Sequence, residues 1–482
     1  MYYANDKIEE WSRYIYPDGY DYKYGKIIRE VKDKEDEDIC LTPLVLCGKS
    51  EEQEDGSRYF SIRYEVDRKQ KEFMIKQEDI QNNKRLASLL GSHCINAPDT
   101  TLIKKTQSYL AQCIYKYENN LKTVPITVQN GWNEDCSVFA LGKWGITADG
   151  INPIMTLVDT EQHYKYFNRV GTLKKWVAVV KPIMEYDLSR FLFYDAMTAP
   201  LKKPLKIESH TQIHHGDTGR AKSAQENVNS STFGDPKNME FIAGSSKVGI
   251  MAHVAGMCDI PVDIEEATGK TAKGIIAEAV YDIANGKEKG RGQTDGKLRN
   301  DIRTFRTTVH VTCENPIRED LNDAGASYRT GQIGDLLPEG LGEMVNAVKR
   351  GVQDNYGFYF PIYIKHIIQN KDGLEELYNE ALLKIDTSSE LSKESKGIAE
   401  RSKYIYAGVL VAGWLCEEVF EEIGLPIKTK EEVEDIVNHY FEECIIGDPV
   451  EADYVRALRL INDWIITDYR CFERRGSDRV DY

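Results

Sequence analysis

The feature that most constrains this chain is a glycine-containing run that directly follows a short strand-like segment. Residues 210–215 predict a β-strand, and the run after them is Gly216, Asp217, Thr218, Gly219, Arg220, Ala221, Lys222 and Ser223. It matches the phosphate-loop pattern G-x-x-x-x-G-K-[ST] everywhere except at Ala221, which stands where the second glycine is expected. Such a loop joins a strand to a helix whose N-terminus binds phosphate. We therefore expect an α/β core whose parallel sheet is flanked by helices.

All eight residues of the run are predicted to bind ATP. Lys222 would contact the β and γ phosphates, and the Ser223 hydroxyl would bind Mg²⁺. The Cβ atom of Ala221 narrows the allowed backbone conformations and the space beside the phosphates. This departure is either tolerated or weakens the site. The alternative interpretation is a chance glycine turn in front of a helix.

A pair of carboxylates provides the second part of the predicted site. Residues 258–264 lead into Glu265 and Glu266. Glu265 is predicted to hold Mg²⁺ through water, and Glu266 to polarise the attacking water. The usual residue at the first position is aspartate, so Asp263 competes with Glu265 for the metal role. The alternative is a pair of solvated glutamates that open a helix.

Residues 281–306 form a basic cluster in a chain whose formal net charge is −16. The residues predicted to bind DNA are Lys287, Lys289, Arg291, Lys297 and Arg299, and they are interleaved with glycines. Glycine-rich basic loops approach a phosphate backbone closely and give affinity without reading sequence. The alternative is a solvated hairpin. The overall negative charge excludes a protein that coats nucleic acid with its whole surface.

Two further catalytic residues are predicted after this cluster. Residues 307–311 read as a third strand, and Asn315 lies just beyond its tip with Thr312 and Glu314 as competing candidates for sensing the γ phosphate. Arg329 is predicted to neutralise transition-state charge in the site of a neighbouring subunit. The alternative for Arg329 is an ordinary surface ion pair.

Together these segments resemble the phage and mobile-element ATPases that were long described as a domain of unknown function and are related to minichromosome-maintenance helicases. The resemblance is carried by the phosphate loop and by residues 259–266, 280–291, 295–296, 305–306, 311–314 and 325–329. It implies an AAA+ type P-loop core, a homo-hexameric ring, and ATP-driven movement on single-stranded or forked DNA with replication partner proteins. The implied function is an ATP-dependent DNA helicase or translocase in the replication of a phage or mobile element. The alternative is a nucleotide-binding, DNA-associated assembly protein with little or no hydrolysis.

The predicted organisation has four parts. Residues 1–120 form an N-terminal, β-rich α/β domain, residues 121–200 a β-rich segment, and residues 201–345 the ATPase core; residues 346–482 form a helical domain. Within these parts, residues 41–47, 59–66 and 176–181 read as strands, and residues 99–117, 404–416 and 450–469 read as helices. The helix at 404–416 is apolar on all sides, which is typical of a central buried helix.

The sequence contains no 18-residue apolar run, so we expect no membrane span. Its N-terminus lacks the basic and apolar regions of a signal peptide. Ten cysteines are scattered singly, which is typical of reduced thiols. A cytoplasmic protein is expected.

Overall fold

The computed structural model describes residues 11–51, 57–121, 126–127, 129–153, 155–156, 166–216, 221–239, 241–242, 246–265, 269–287, 304–314, 317, 329–334, 337–387 and 393–445. The chain divides into two compact units. The first contains residues 1–133 and 138–164, and the second contains residues 134–137 and 165–482. The finer four-part organisation stays a prediction.

Among its described residues, the first unit consists mainly of antiparallel strands with three α-helices. Its strands are β1 (Tyr20–Lys23), β2 (Lys26–Arg29), β3 (Glu37–Cys40), β4 (Leu44–Glu51), β5 (Arg58–Val66), β6 (Lys69–Lys76), β7 (Ile126–Thr127), β8 (Gly131–Trp132), β9 (Phe139–Leu141), β10 (Trp144–Thr147), β11 (Gly150–Pro153) and β12 (Met155–Thr156). Its helices are α1 (Gln77–Gln81), α2 (Asn83–Ser92) and α3 (Thr100–Tyr117). The sheets have the orders β1-β2-β3, β4-β5-β6 and β11-β10-β9-β8, and β7 pairs with β12.

Helix α3 begins where the sequence predicts. The Asp99 carboxylate accepts hydrogen bonds from the backbone N–H groups of Thr101 and Leu102, both at 2.8 Å. This cap satisfies two donors that have no partner within the helix. The buried face of α3, which includes Tyr109 and Leu110, belongs to the same apolar core as strands β4 to β6.

The second unit is built on a five-stranded parallel sheet. Its strands are β13 (His210–His215), β14 (Phe241–Ile242), β15 (Val262–Glu265), β16 (Thr308–Cys313) and β17 (Thr330–Ile333). Their spatial order is β14-β15-β16-β13-β17, and every pairing is parallel. The chain therefore passes from β13 to the far edge of the sheet, returns as far as β16, and then crosses β13 to reach β17.

Helices accompany this sheet and continue beyond it. They are α4 (Leu173–Val180), α5 (Asp187–Met197), α6 (Lys202–Leu205), α7 (Lys222–Ser231), α8 (Pro236–Met239), α9 (Lys247–Gly256), α10 (Gly269–Asn285), α11 (Gly342–Gln353), α12 (Tyr359–Gln369), α13 (Leu374–Lys384), α14 (Lys393–Ile423) and α15 (Lys430–Ile445). The mixed α/β architecture with a parallel sheet agrees with the expected fold class. Within the described part of the chain, no helix is long and apolar enough to cross a membrane.

One face of the parallel sheet is polar although it is buried. Gln212 of β13 lies beside His310 of β16, which in turn lies beside Asp263 of β15. His210 lies two residues before Gln212 and therefore on the same face. Strands of a parallel sheet that is covered on both faces usually carry apolar side chains. A buried polar face of this kind requires hydrogen-bond partners.

Asp195 of α5 supplies these partners at the centre of the sheet. Its carboxylate oxygens accept from Nε2 of His210 and Nε2 of His310, each at 2.8 Å. The Lys202 ammonium lies 2.7 Å from Nδ1 of His210 and donates to the carbonyl oxygen of Glu208 at 2.9 Å. We call these side chains, Asp195, Lys202, His210 and His310, the buried polar layer.

Burial and pairing set the charge states within this layer. Burial lowers the pKa of Lys202 to about 7, although Asp195 opposes that change. Burial, together with the neighbouring Lys202 cation, lowers the pKa of His210 to about 4. Burial alone would raise the pKa of Asp195, but His210 and His310 outweigh it and hold that pKa well below its usual range. The layer therefore holds a carboxylate anion between two imidazoles.

The long helix α14 is the centre of the helical part. Residues 405–417 are all buried, so the predicted central buried helix is confirmed, with Tyr404 as an exposed exception. Helix α14 is tied to α5 by a buried ion pair between Arg190 and Glu417, and Glu417 also accepts a hydrogen bond from the Tyr194 hydroxyl. The guanidinium of Arg190 also donates to the carbonyl oxygen of Pro426 at 2.7 Å.

The strand predicted at residues 176–181 is wrong, because Leu173–Val180 is helix α4. The Thr172 hydroxyl caps this helix by accepting from the backbone N–H of Lys175 at 3.3 Å. Trp176 and Val180, four residues apart, are both fully buried. That spacing places both side chains on one helical face. The helix predicted at residues 450–469 lies outside the described residues.

Candidate nucleotide-binding site

The candidate site lies at the carboxyl edge of the parallel sheet, where β13 ends and α7 begins. The Gly216 N–H donates to the carbonyl oxygen of Cys313 at 3.3 Å, so the start of the loop is attached to the end of β16. The connections from β13 and from β16 leave in opposite directions across the sheet. In open α/β sheets, ligands bind outside the carboxyl ends of the strands at such a reversal. Four loop residues, Asp217, Thr218, Gly219 and Arg220, lie outside the described residues.

Lys222 lies at the start of α7 and is half-buried. Its ammonium donates to the Gly216 carbonyl oxygen at 2.6 Å, so the side chain bends back across the loop. Burial raises the pKa of the Cys313 thiol to about 11, and the nearby ammonium groups of Lys273 and Lys222 oppose that rise. Both ammonium groups therefore lie near the Cys313 thiol at the carboxyl end of β16.

Ala221, the one departure from the loop pattern, has a left-handed backbone conformation. Its φ is 71°, and its side chain is buried. Glycine adopts this conformation without strain, whereas a Cβ atom costs roughly 1–2 kcal/mol there. The pattern asks for glycine at this position because the backbone must turn left-handed before the helix begins. Alanine preserves the turn and the backbone N–H, and it introduces strain.

We expect Ala221→Gly to stabilise the chain by about 0.5–1 kcal/mol, since relief of the left-handed strain exceeds the entropy that glycine adds to the unfolded state. ATP binding should tighten as the loop relaxes. Urea unfolding and calorimetric titration measure the two effects. The matched control is Ala224→Gly in the first turn of α7, where the backbone is helical, and glycine should destabilise the chain by about 1 kcal/mol. A loss of stability for Ala221→Gly would show that the surrounding structure already suits alanine.

The two candidate metal carboxylates in β15 have different surroundings. Glu265 is the last residue of the strand and is half-buried, and its buried Oε1 atom has no hydrogen-bond partner among the described residues. Asp263 is 2% exposed and accepts a hydrogen bond from the Ser230 hydroxyl at 2.5 Å. Burial raises the pKa of Asp263 to about 6, opposed by the nearby His310. Asp263 therefore continues the buried polar layer, whereas Glu265 presents an oxygen at the edge of the sheet.

The remaining predicted residues near this edge are partly described. Ser223 follows Lys222 in the first turn of α7 and is half-buried. Thr312 lies beside His214 in the sheet, and its strand β16 runs between β13 and β15 as the sensor hypothesis requires. Glu266 and Asn315 lie outside the described residues.

Arg329 lies at the opposite edge of the sheet, just before β17. Its Nε atom is 3.0 Å from Oε2 of Glu208, and its Nη1 donates to the Asn285 side-chain oxygen at 3.3 Å. Glu208 precedes β13, whereas the phosphate-loop residues follow it. The six residues of β13 separate the two edges by roughly 17 Å at about 3.3 Å per residue. The structure therefore does not bring Arg329 to Lys222 within one chain.

Of the five predicted DNA-binding residues, only Lys287 lies within the described residues; Lys289, Arg291, Lys297 and Arg299 do not. Lys287 is exposed, and it forms an antiparallel bridge with Thr304. The bridge pairs the residues on either side of positions 288–303, which lie outside the described residues. Arg306, just after it, forms an ion pair with the buried Asp259 at 3.2 Å.

Comparison with known proteins connects this fold to others. The fold is similar to a solved structure described as "SCCmec type IV Cch - active helicase", with a TM-score of 0.68 and 15% identity over 96% of this chain and 84% of that chain. A second solved structure, "The A form apo structure of NrS-1 C terminal region-CTR", has a TM-score of 0.27 and 8% identity over 91% of this chain and 94% of that chain. A TM-score of this size does not indicate a common fold. No curated protein matches the sequence.

The sequence itself matches a family model, and the match covers more than half of the chain. The family is described as "Domain of unknown function (DUF927)", and residues 20–303 are matched. This agrees with the resemblance to a family long described in that way. The chain belongs to the DUF927 family.

Proposed function

We propose that this chain is an ATP-dependent DNA helicase or translocase that acts in the replication of a phage or mobile element. The observation that supports it most is that Lys222 and Ser223 begin the helix after β13, while Glu265 ends β15, two strands away, at the same carboxyl edge of the parallel sheet and beside the reversal in strand order. A cation and a hydroxyl at a helix N-terminus, with a carboxylate at the end of a nearby strand, are groups that hold a nucleoside triphosphate and its magnesium ion.

In this proposal, the core is a P-loop ATPase of the AAA+ type. Lys222 neutralises the β and γ phosphates, and Ser223 and Glu265 hold Mg²⁺. The magnesium ion would neutralise charge that develops on the transferred phosphoryl group. Glu266, which follows Glu265 directly, orients and deprotonates the attacking water. The buried Oε1 atom of Glu265 fits this assignment, since it is an oxygen in need of a partner. The Oδ2 atom of Asp263 accepts from Ser230, but its Oδ1 atom also has no hydrogen-bond partner among the described residues, so Asp263 stays the competing metal residue.

Arg329 fits a role in a neighbouring subunit rather than in its own. It lies at the amino edge of the sheet, while the loop and Lys222 lie at the carboxyl edge. For an arginine finger to act in trans, the amino edge of the sheet in one copy must face the carboxyl edge of the sheet in the next copy. A closed ring of identical copies, such as a hexamer, satisfies this requirement because each site then receives an arginine from its neighbour.

The DNA is proposed to contact the basic segment that starts at Lys287. Cations on a glycine-rich loop bind phosphates without reading bases, which suits an enzyme that moves along DNA. The similarity in fold to a structure described as an active helicase supports the same function. This support comes from the shared fold, since the sequence identity is 15%.

A second function is favoured by two observations at the loop itself. Ala221 is strained at a φ of 71°, and Lys222 donates to the Gly216 carbonyl oxygen at 2.6 Å. A strained loop and a lysine held by its own backbone are both expected to slow turnover. These features suit a nucleotide-binding, DNA-associated assembly protein with little or no hydrolysis.

The rate of ATP hydrolysis with and without single-stranded DNA separates the two functions. A helicase or translocase should hydrolyse ATP in the presence of Mg²⁺, and single-stranded DNA should increase the rate. Turnover typical of enzymes is on the order of 1–10³ per second. ATP binding without hydrolysis, and without any effect of DNA, would instead establish the assembly protein. Absence of ATP binding would contradict both.

A further inference from the structure

Arg329 lies between two cavities at the amino edge of the parallel sheet. The first has a volume of about 410 Å³, and its lining includes Lys287 and Arg306. The second has a volume of about 510 Å³, and its lining includes Lys206 and Arg401. Glu208 and Arg329 line both cavities. In a chain with a net charge of −16, this concentration of cations marks a place suited to an anion.

Glu208 takes the position that such an anion would occupy. Its carboxylate contacts Arg329 at two points, with Oε2 at 3.0 Å from Nε and Oε1 accepting from Nη2 at 3.4 Å. Nη2 donates a hydrogen bond and Nε makes an ion-pair contact only, and both atoms belong to the planar guanidinium fork that also binds phosphate. The Arg329 side chain is 15% exposed and the Glu208 side chain is 60% exposed. The carboxylate thus covers the arginine from the solvent side.

The backbone of Glu208 is fixed while its carboxylate can turn away. The Glu208 carbonyl oxygen accepts from the buried Lys202 ammonium at 2.9 Å, so the main chain is anchored to the buried polar layer. The side chain extends into solvent, and exposed ion pairs are weak. A phosphate group carries more charge than a carboxylate and more acceptor oxygens. It can therefore displace Glu208 without moving the backbone.

We propose that the two cavities around Arg329 form one phosphate-binding site, that Glu208 is its resting occupant, and that the terminal phosphate of a nucleotide held by a second copy displaces it. This regulation rests on the proposed function, in which Arg329 acts on a neighbouring nucleotide. Glu208 then acts as a competitor that keeps Arg329 paired until a loaded copy docks. The assignment makes Glu208 a competitor of the phosphate for Arg329 and gives Glu208 no part in the chemistry.

Inorganic pyrophosphate is the probe for this site. It is titrated calorimetrically into Lys222→Ala protein, whose own nucleotide site lacks its principal phosphate ligand. Adding Glu208→Gln to that protein removes the competing charge and keeps the shape of the side chain. Pyrophosphate affinity should rise by about fivefold, the size expected for loss of one exposed ion pair. Adding Arg329→Ala as well should remove this gain.

The matched control is Glu278→Gln in the same Lys222→Ala protein. Glu278 is also an exposed carboxylate in an ion pair, with Lys247 at 3.1 Å, and its substitution changes the net charge equally. Its pyrophosphate affinity should stay that of Lys222→Ala alone. An unchanged affinity for Glu208→Gln, or a gain that persists without Arg329, overturns the proposal. A gain in pyrophosphate affinity, combined with no ATP hydrolysis by the parent protein with Lys222 intact, would support the site and contradict the proposed function, so the two failures are distinguishable.

Discussion

Replacing Lys222 with alanine is expected to abolish ATP hydrolysis while the chain stays folded. The half-buried ammonium contacts the Gly216 carbonyl oxygen just after β13 and lies near the Cys313 thiol at the end of β16. Removing it deletes the charge that would meet the β and γ phosphates. Loss of one preorganised electrostatic contact of this kind lowers turnover by on the order of 10²–10³. Steady-state phosphate release measures the effect, and thermal unfolding verifies the fold.

The control is Lys237→Ala, an exposed lysine in the short helix α8 of the same unit. It changes the net charge equally and should hydrolyse ATP at the parent rate. Equal rates for Lys222→Ala and the parent would remove the phosphate-loop assignment. A Lys222→Ala protein that unfolds would instead show that the contact with the Gly216 carbonyl oxygen stabilises the unit.

Replacing Arg329 with alanine is expected to leave ATP binding nearly intact and to remove most hydrolysis. Arg329 lies at the amino edge of the sheet and the loop at the carboxyl edge, and the length of β13 separates these edges by roughly 17 Å, so we expect binding within one copy not to depend on Arg329. An arginine finger accelerates hydrolysis by on the order of 10³–10⁵. ATP binding is measured by calorimetry and hydrolysis by phosphate release. The control is Arg350→Ala, an exposed arginine in α11, which should retain both.

Mixing the two inactive variants tests whether Arg329 acts between copies. Each Arg329→Ala copy retains Lys222, and each Lys222→Ala copy retains Arg329, so some mixed interfaces contain both. Partial recovery of hydrolysis in the mixture is expected. No recovery in well-mixed assemblies would place Arg329 in its own site or give it a structural role only. Full hydrolysis by a protein that stays monomeric with ATP and DNA would contradict the ring.

Those parts of the fold that depend on local chemistry could be predicted from the sequence. The Asp99 cap fixes the start of α3 because its partners are two and three residues away. Helix α5 was not predicted, since all its residues after Asp187 are buried and it has no apolar stripe to recognise. The same explanation applies to α12, whose apolar residues occur on nearly every side. Burial on all sides removes the periodicity on which such predictions depend.

Some parts of the candidate site could likewise be predicted from local sequence, and others could not. The loop from Gly216 to Ser223 is a contiguous pattern, so the sequence indicates its position between a strand and a helix. The partners of Asp195 are 15 and 115 residues away, and Glu208 is 121 residues from Arg329. No spacing along the chain relates such residues. The strand order that places Arg329 and the loop on opposite edges is likewise a tertiary property.

The position of β16 within the sheet has a consequence for autonomous folding. The family match ends at residue 303, and β16 begins at Thr308 and lies between β13 and β15. A fragment cut at the end of the match would lose the strand that joins the two halves of the sheet. It would also leave Asp195 buried with one imidazole instead of two. The segment matched by the family model is therefore smaller than the cooperative folding unit. We expect the parallel sheet to be stable only when β16 is present.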